Sequence, residues 1–213
     1  MQSSKIKLAV TFYIFLLIGT IYTLNAQFQS SFILGLDIYQ QYRNPSPTGQ
    51  LKSGQSSGAV VSGVPIGLQF GYSLKNVGIA LEISANLAPL ALDIQEYKGL
   101  GAVSIPLLLK GNFGALTGLS TDKLIGYSIG VGVQFNRTEL FGLHKSFQYL
   151  ERSFFPTLIS EAAIGGGIGG FCLYFFARIG VGESQSMSLN FGINTKTSLY
   201  KNKQLSQKPN YQS

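Results

Sequence analysis

The sequence contains no tryptophan, one cysteine, one histidine and two methionines in 213 residues, and only 12 % of its residues are charged. The lone Cys172 allows no internal disulfide and gives no cysteine pair at a metal-ligand spacing. It reads as a packed residue, and no cofactor is expected. Charge at half the roughly 25 % usual in soluble domains would leave a water-facing surface poorly solvated. After residue 26 no run approaches the roughly 18 to 20 apolar residues that cross a bilayer as a helix. An α-helical membrane protein is thereby excluded.

Residues 1–26 have the layout of a signal peptide: Lys5 and Lys7 precede an apolar stretch over 8–24, and Asn25-Ala26-Gln27 offers a small-residue cleavage site. Gln27 is then the expected mature N-terminus. The other reading of this stretch is an uncleaved anchor helix. Without Lys5 and Lys7 the formal charge falls from +7 to +5. That remainder is scattered and forms no basic groove, so no nucleic-acid partner is expected.

What is present in abundance is alternation. Val64, Ile66, Leu68, Phe70, Tyr72 and Leu74 alternate with Pro65, Gly67, Gln69, Gly71 and Ser73. Val77 to Leu87 and Ile125 to Asn136 repeat the pattern. Period two means strands. Weaker versions at about 31–42, 103–113, 157–168, 171–182 and 187–199 bring the expected number to eight. Most have a length, about 9 to 11 residues, that crosses a bilayer when tilted.

Alternation alone does not decide which face meets water, because soluble barrels share the period. The non-apolar face decides it. That face is mainly Gly, Ala, Ser and Asn, which suits a cramped interior filled by side chains. The apolar face is therefore expected to meet lipid, with Phe32, Tyr72, Phe113, Tyr127 and Phe171 near strand ends as an interfacial girdle.

Connection lengths agree. Segments 43–62, 88–102 and 137–156 read as long loops, whereas Lys75-Asn76 and Gly169-Gly170 read as two-residue hairpin turns. Segment 114–123 is intermediate and 182–186 short. The expected organisation is a signal peptide over 1–26, an all-β, eight-stranded antiparallel up-and-down transmembrane barrel over 27–200, and a polar basic tail over 201–213.

Five charged residues fall on the inward set: Asp37, Glu82, Lys110, Glu161 and Arg178. Buried charges need partners. A two-residue turn at Gly169-Gly170 sets Glu161 opposite Arg178, and one at Lys75-Asn76 sets Glu82 opposite Gln69. Lys110 would reach across the lumen toward Glu82 or Asp37. This constellation reads as an ion-pair network that stabilises the barrel; the alternative is a narrow channel, a gated path for protons or small ions.

Catalysis has one candidate, His144, in the third long loop with Glu139, Ser146, Glu151 and Ser153 nearby. It supports a lipid-modifying enzyme as an alternative function. No nucleophile elbow of the hydrolase kind is expected. The run Gly165-Gly166-Gly167-Ile168-Gly169-Gly170 lacks the Lys-Ser/Thr ending of a phosphate loop, and strand and turn packing accounts for it. Arg43, Lys52, Lys98, Arg137, Lys145 and Arg152 on the long loops could meet lipopolysaccharide phosphates.

The strand Val103-Ser104-Ile105-Pro106-Leu107-Leu108-Leu109-Lys110-Gly111-Asn112-Phe113 resembles the "IPLLLKY-x-F" strand of the PorT-like outer-membrane β-barrel proteins of Bacteroidota. The Gly-rich amphipathic strand that follows it, Gly126 to Phe135, is similar too. This resemblance implies a small barrel located in the outer membrane; the leading expectation for its task is a non-enzymatic structural or interaction role, in contact with outer-membrane lipid and lipopolysaccharide. Because the founding member serves a protein-secretion machine, it also implies envelope or secretion proteins as partners.

Overall fold

A computed structural model describes residues 27–45, 55–74, 76–92, 100–119, 123–141 and 153–199. They form eight strands: β1 (Gln27–Arg43), β2 (Gln55–Leu74), β3 (Val77–Leu92), β4 (Leu100–Gly114), β5 (Ile125–Phe141), β6 (Phe155–Ile168), β7 (Phe171–Val181) and β8 (Met187–Ser198). Each strand pairs antiparallel with its neighbours in sequence, and β1 pairs with β8 to close the barrel. The expected all-β, eight-stranded up-and-down barrel is the observed architecture. Closure leaves no sheet edge unpaired.

The period-two pattern sets the two faces. In β7 exposed and buried residues alternate without a break from Phe171 to Val181. The exposed set forms an apolar belt to which every strand contributes, among them Leu34, Leu68, Leu81, Leu109, Val131, Ile164, Phe175 and Phe191. Ile79 is 65 % exposed, while Lys110 on the neighbouring strand is 1 % exposed. This distribution inverts that of a soluble domain, in which charged side chains are rarely buried and large apolar patches are rarely exposed. Four of the five aromatics expected to form a girdle gather at one end of the barrel. There Phe113 stacks on Tyr127 with ring centroids 4.7 Å apart, Tyr72 meets Phe28 edge-on at 5.5 Å, and Phe171 starts β7. Phe32 lies deeper along β1.

At the opposite end the strands outrun the sequence-based limits. β2 has 20 residues and β1 and β5 have 17 each, so the connections shrink to 44–54, 93–99 and 142–154. Arg43, Arg137 and Glu139, expected in loops, belong to β1 and β5. The reason is that apolar alternation marks only the belt. Beyond it, polar residues continue the ladder through backbone hydrogen bonds, which leave no mark in hydropathy. The turn Gly169-Gly170 closes the β6–β7 hairpin with both φ angles positive, at 63° and 93°, as a two-residue turn of this hand requires.

Candidate functional site

The inward face carries a polar seam along the barrel, and four of the five inward charges singled out in the sequence meet at its centre. Glu161 and Arg178 are direct partners on β6 and β7. Arg178 donates to one carboxylate oxygen, Oε2, from Nε at 2.9 Å and Nη2 at 2.6 Å. Lys110 Nζ lies 2.5 Å from Glu161 Oε1 and 3.1 Å from Glu82 Oε2.

The Lys110 contacts run along the wall and not across the lumen. Lys110 pairs with Gly130 on β5, and Gly130 in turn pairs with Glu161 on β6. With no side chain between them, cation and carboxylate meet over the glycine; a Cβ there would lie 2.9 Å from Lys110 Cγ. Glu82 pairs with Leu108 and is therefore the diagonal neighbour of Lys110. Asp37 stands outside this cluster. Its Oδ2 accepts from Asn190 Nδ2 at 3.0 Å and from Asn86 Nδ2, and it has no ion pair among the described residues. The expected alternative of Lys110 with Asp37 does not form, because two nearer carboxylates already take its donors.

Amides extend the seam in both directions. On one side Arg178 Nη1 donates to Gln134 Oε1 at 3.1 Å, Gln134 Nε2 to Asn190 Oδ1 at 3.2 Å, and Asn190 to Asp37 and to the Tyr42 hydroxyl. On the other, Gln69 Nε2 donates to Glu82 at 3.3 Å, and Lys196 Nζ donates to Gln69 Oε1 at 3.1 Å and to the Leu116 carbonyl. Leu116 belongs to a 3₁₀ turn, Ala115–Thr117, that tucks into this end of the barrel. Aromatic faces flank the cations: Lys110 lies 5.2 Å from the Tyr174 ring centroid and Arg178 5.2 Å from that of Phe176. Such a chain satisfies charges whose isolation in a low-dielectric interior would be costly. Beside Gln29, Gln69, Ser73 and Asn112, a chamber of about 10 Å³ has room for about one water molecule.

Gln69 stands opposite Glu82 as the Lys75-Asn76 turn implied, whereas Lys196 and the amides Asn86, Gln134 and Asn190 were not singled out from the sequence. A signal for them exists, since Ser188, Asn190, Asn194 and Lys196 occupy alternate, buried positions of β8.

Other motifs resolve into packing. Gly126-Tyr127-Ser128-Ile129-Gly130 has the Gly-x-Ser-x-Gly spelling, but it lies inside β5 with Ser128 buried, so it lacks the strand-to-helix turn of a nucleophile elbow. Cys172 is buried, and its thiol donates to the Ala115 carbonyl at 3.2 Å. His144, Ser146, Glu151, Lys52, Lys98, Lys145 and Arg152 lie outside the described residues, as do segments 1–26 and 201–213. No group of three or more metal-ligating side chains occurs among the described residues.

No family model matches the chain, and no curated protein matches it by sequence. Among solved structures it is similar to the N-terminal β-barrel domain of OprF from Pseudomonas aeruginosa, at 12 % identity, with 81 % of this chain and 100 % of that one covered and a TM-score of 0.49. It is also similar to Neisserial surface protein A, at 11 % identity over 81 % of this chain and 97 % of that one, with a TM-score of 0.47. The outer membrane protein OprG from Pseudomonas aeruginosa follows at 10 % identity over 81 % and 98 %, with a TM-score of 0.42.

Proposed function

We propose that this chain is a small non-enzymatic β-barrel of a bacterial outer membrane, with a lumen plugged by its own side chains and a structural or interaction role. The observation that carries this reading is the inverted distribution of polarity. A continuous apolar belt faces outward on all eight strands, while Lys110, Glu82, Glu161 and Arg178 are buried inside. Only a hydrocarbon surrounding makes both halves of that arrangement favourable. The hydrogen-bonded seam supports the plugged lumen, because ions would have to displace charges already paired with one another. Glu82, Lys110, Glu161 and Arg178 serve on this reading to hold the barrel wall together, with Asp37 anchoring the amides at one end.

The resemblance of Val103–Phe113 to the PorT-like strand supports an accessory role in protein secretion or envelope assembly. Outer-membrane lipid and lipopolysaccharide would be the surrounding partners. Heat-modifiable gel migration of the membrane fraction tests the barrel, since a folded membrane barrel shifts on boiling; unshifted migration would sink it. Deleting the gene and measuring export of secreted proteins tests the secretion role, and unchanged export would remove it.

A further inference from the structure

Among the described residues, the apolar belt is dented by a groove of about 480 Å³ on the outer wall of β6, β7, β8 and β1. Three features produce it. Ala162 and Ala177 are direct partners on β6 and β7, so two small outward-facing side chains stand side by side. Ile164, Phe175 and Phe191 rise around them. On β1 the register shifts between Asp37 and Tyr39, and the bulged Ile38 is turned outward to form another side of the groove. Bulges re-aim side chains, and they concentrate next to functional sites.

We infer that this groove is a preferential seat for the acyl chain of a membrane phospholipid. The inference rests on the proposed membrane location. All nine residues that line the groove are Ala, Gly, Ile or Phe. A headgroup, a sugar or a peptide backbone would find no hydrogen-bonding side chain there and would lose its own solvation. Depth agrees, because Ala162 and Ala177 adjoin the Glu161–Arg178 pair near the middle of the wall, at the level of hydrocarbon tails. A second copy of the barrel fits the groove less well than a single chain does. Nine residues are a fraction of the roughly 20–30 a side that a stable protein pair uses, and two convex walls in contact would leave the groove empty. A single flexible hydrocarbon chain can enter between the Phe175 and Phe191 rings and make contacts on several sides at once, each small and together favourable.

The test is photocrosslinking. The full chain is refolded into phosphatidylcholine vesicles that contain a phospholipid with a diazirine near the end of one acyl chain, and the labelled residues are mapped by mass spectrometry. Labelling is expected to concentrate on Ile38, Phe175 and Phe191, about fivefold above Ile79, Leu81 and Leu109 on the opposite wall, a ratio equal to a modest difference in affinity. In Ala162→Phe and Ala177→Phe, each of which fills the groove from outside without touching the interior, labelling is expected to fall to the level of the opposite wall. Even labelling around the belt in the native protein overturns the seat while leaving the membrane reading intact. No labelling of the belt at all overturns both. Crosslinks joining two copies through Phe175 or Phe191 overturn the lipid in favour of self-association. If one filling variant does not fold, the native labelling map and the other variant still decide the question.

Discussion

Glu161 takes charge from two sides: the Arg178 guanidinium holds Oε2 from the neighbouring strand, and Lys110 holds Oε1 from two strands away. One carboxylate thus ties β4, β6 and β7 together. Removing it leaves two buried cations short of a partner, whereas removing Arg178 leaves Glu161 with Lys110. Glu161→Gln is therefore expected to destabilise the barrel by about 3–5 kcal/mol, and Arg178→Met by less. Glu161→Gln combined with Arg178→Met should cost less than the two single changes added, by about 0.5–3 kcal/mol of coupling. Urea unfolding of vesicle-embedded protein measures this, and strict additivity would refute the pairing.

The bare backbone at Gly130 is what lets Lys110 and Glu161 meet. Gly130→Val places a branched side chain where even a Cβ comes within 2.9 Å of Lys110 Cγ. A loss of about 1–3 kcal/mol from overpacking is expected, with further loss from the separated charges. Ile129→Val, on the exposed face of the same strand, provides the control. Equal effects of the two changes would mean that the glycine has no such part.

The outer belt should respond to charge according to depth. Leu109→Arg, near mid-wall, is expected to cost about 2–4 kcal/mol in vesicles, and Ile125→Arg at the start of β5 about 0–1 kcal/mol. Unfolding titrations of both variants check this. If neither change costs anything, the belt faces water.

The Gly169-Gly170 turn separates two requirements. Both residues have positive φ, but a Cβ at Gly169 meets nothing within 4 Å, whereas one at Gly170 lies 3.1 Å from Ser198 Cβ. Gly169→Asn should be tolerated, since Asn enters the left-handed region readily. Gly170→Val should cost about 1–3 kcal/mol. Comparing the two unfolding midpoints decides it, and a larger loss at Gly169 would contradict the assignment.

Cys172 offers a check on the interior. Buried, with its thiol on the Ala115 carbonyl, it should resist maleimide in the folded barrel and react fully in denaturant. Rapid labelling of the folded protein would show that the end of the lumen closed by Ala115–Thr117 is open to solvent.

Much of this architecture can be read without coordinates. Period-two alternation identifies strands, the small residues on the second face mark it as the interior, and a two-residue turn at Gly169-Gly170 is enough to place Glu161 beside Arg178. These are local consequences of backbone geometry, because register propagates from a turn and each residue's face follows from its parity. Two things stay hidden in the sequence. Strand length is one, since the polar extensions of β1, β2 and β5 are held by backbone ladders that any side chain can accompany. The other is which inward residues meet where no two-residue turn joins their strands.

Lys110 settles between Glu82 and Glu161, Asp37 takes amides in place of a cation, and Lys196 enters the seam. Each of these contacts depends on residues whose neighbours are set by barrel closure, by the stagger of eight strands and by a glycine that opens a path along the wall. The sequence by itself determined a barrel with an apolar outside and a charged inside, because a repeat of two separates the faces and the small residues of the second face mark it as the interior. Only the tertiary structure decided how Lys110, Glu82 and Asp37 find their partners and where the groove in the belt lies, because both depend on strands that no two-residue turn joins, brought side by side at one stagger.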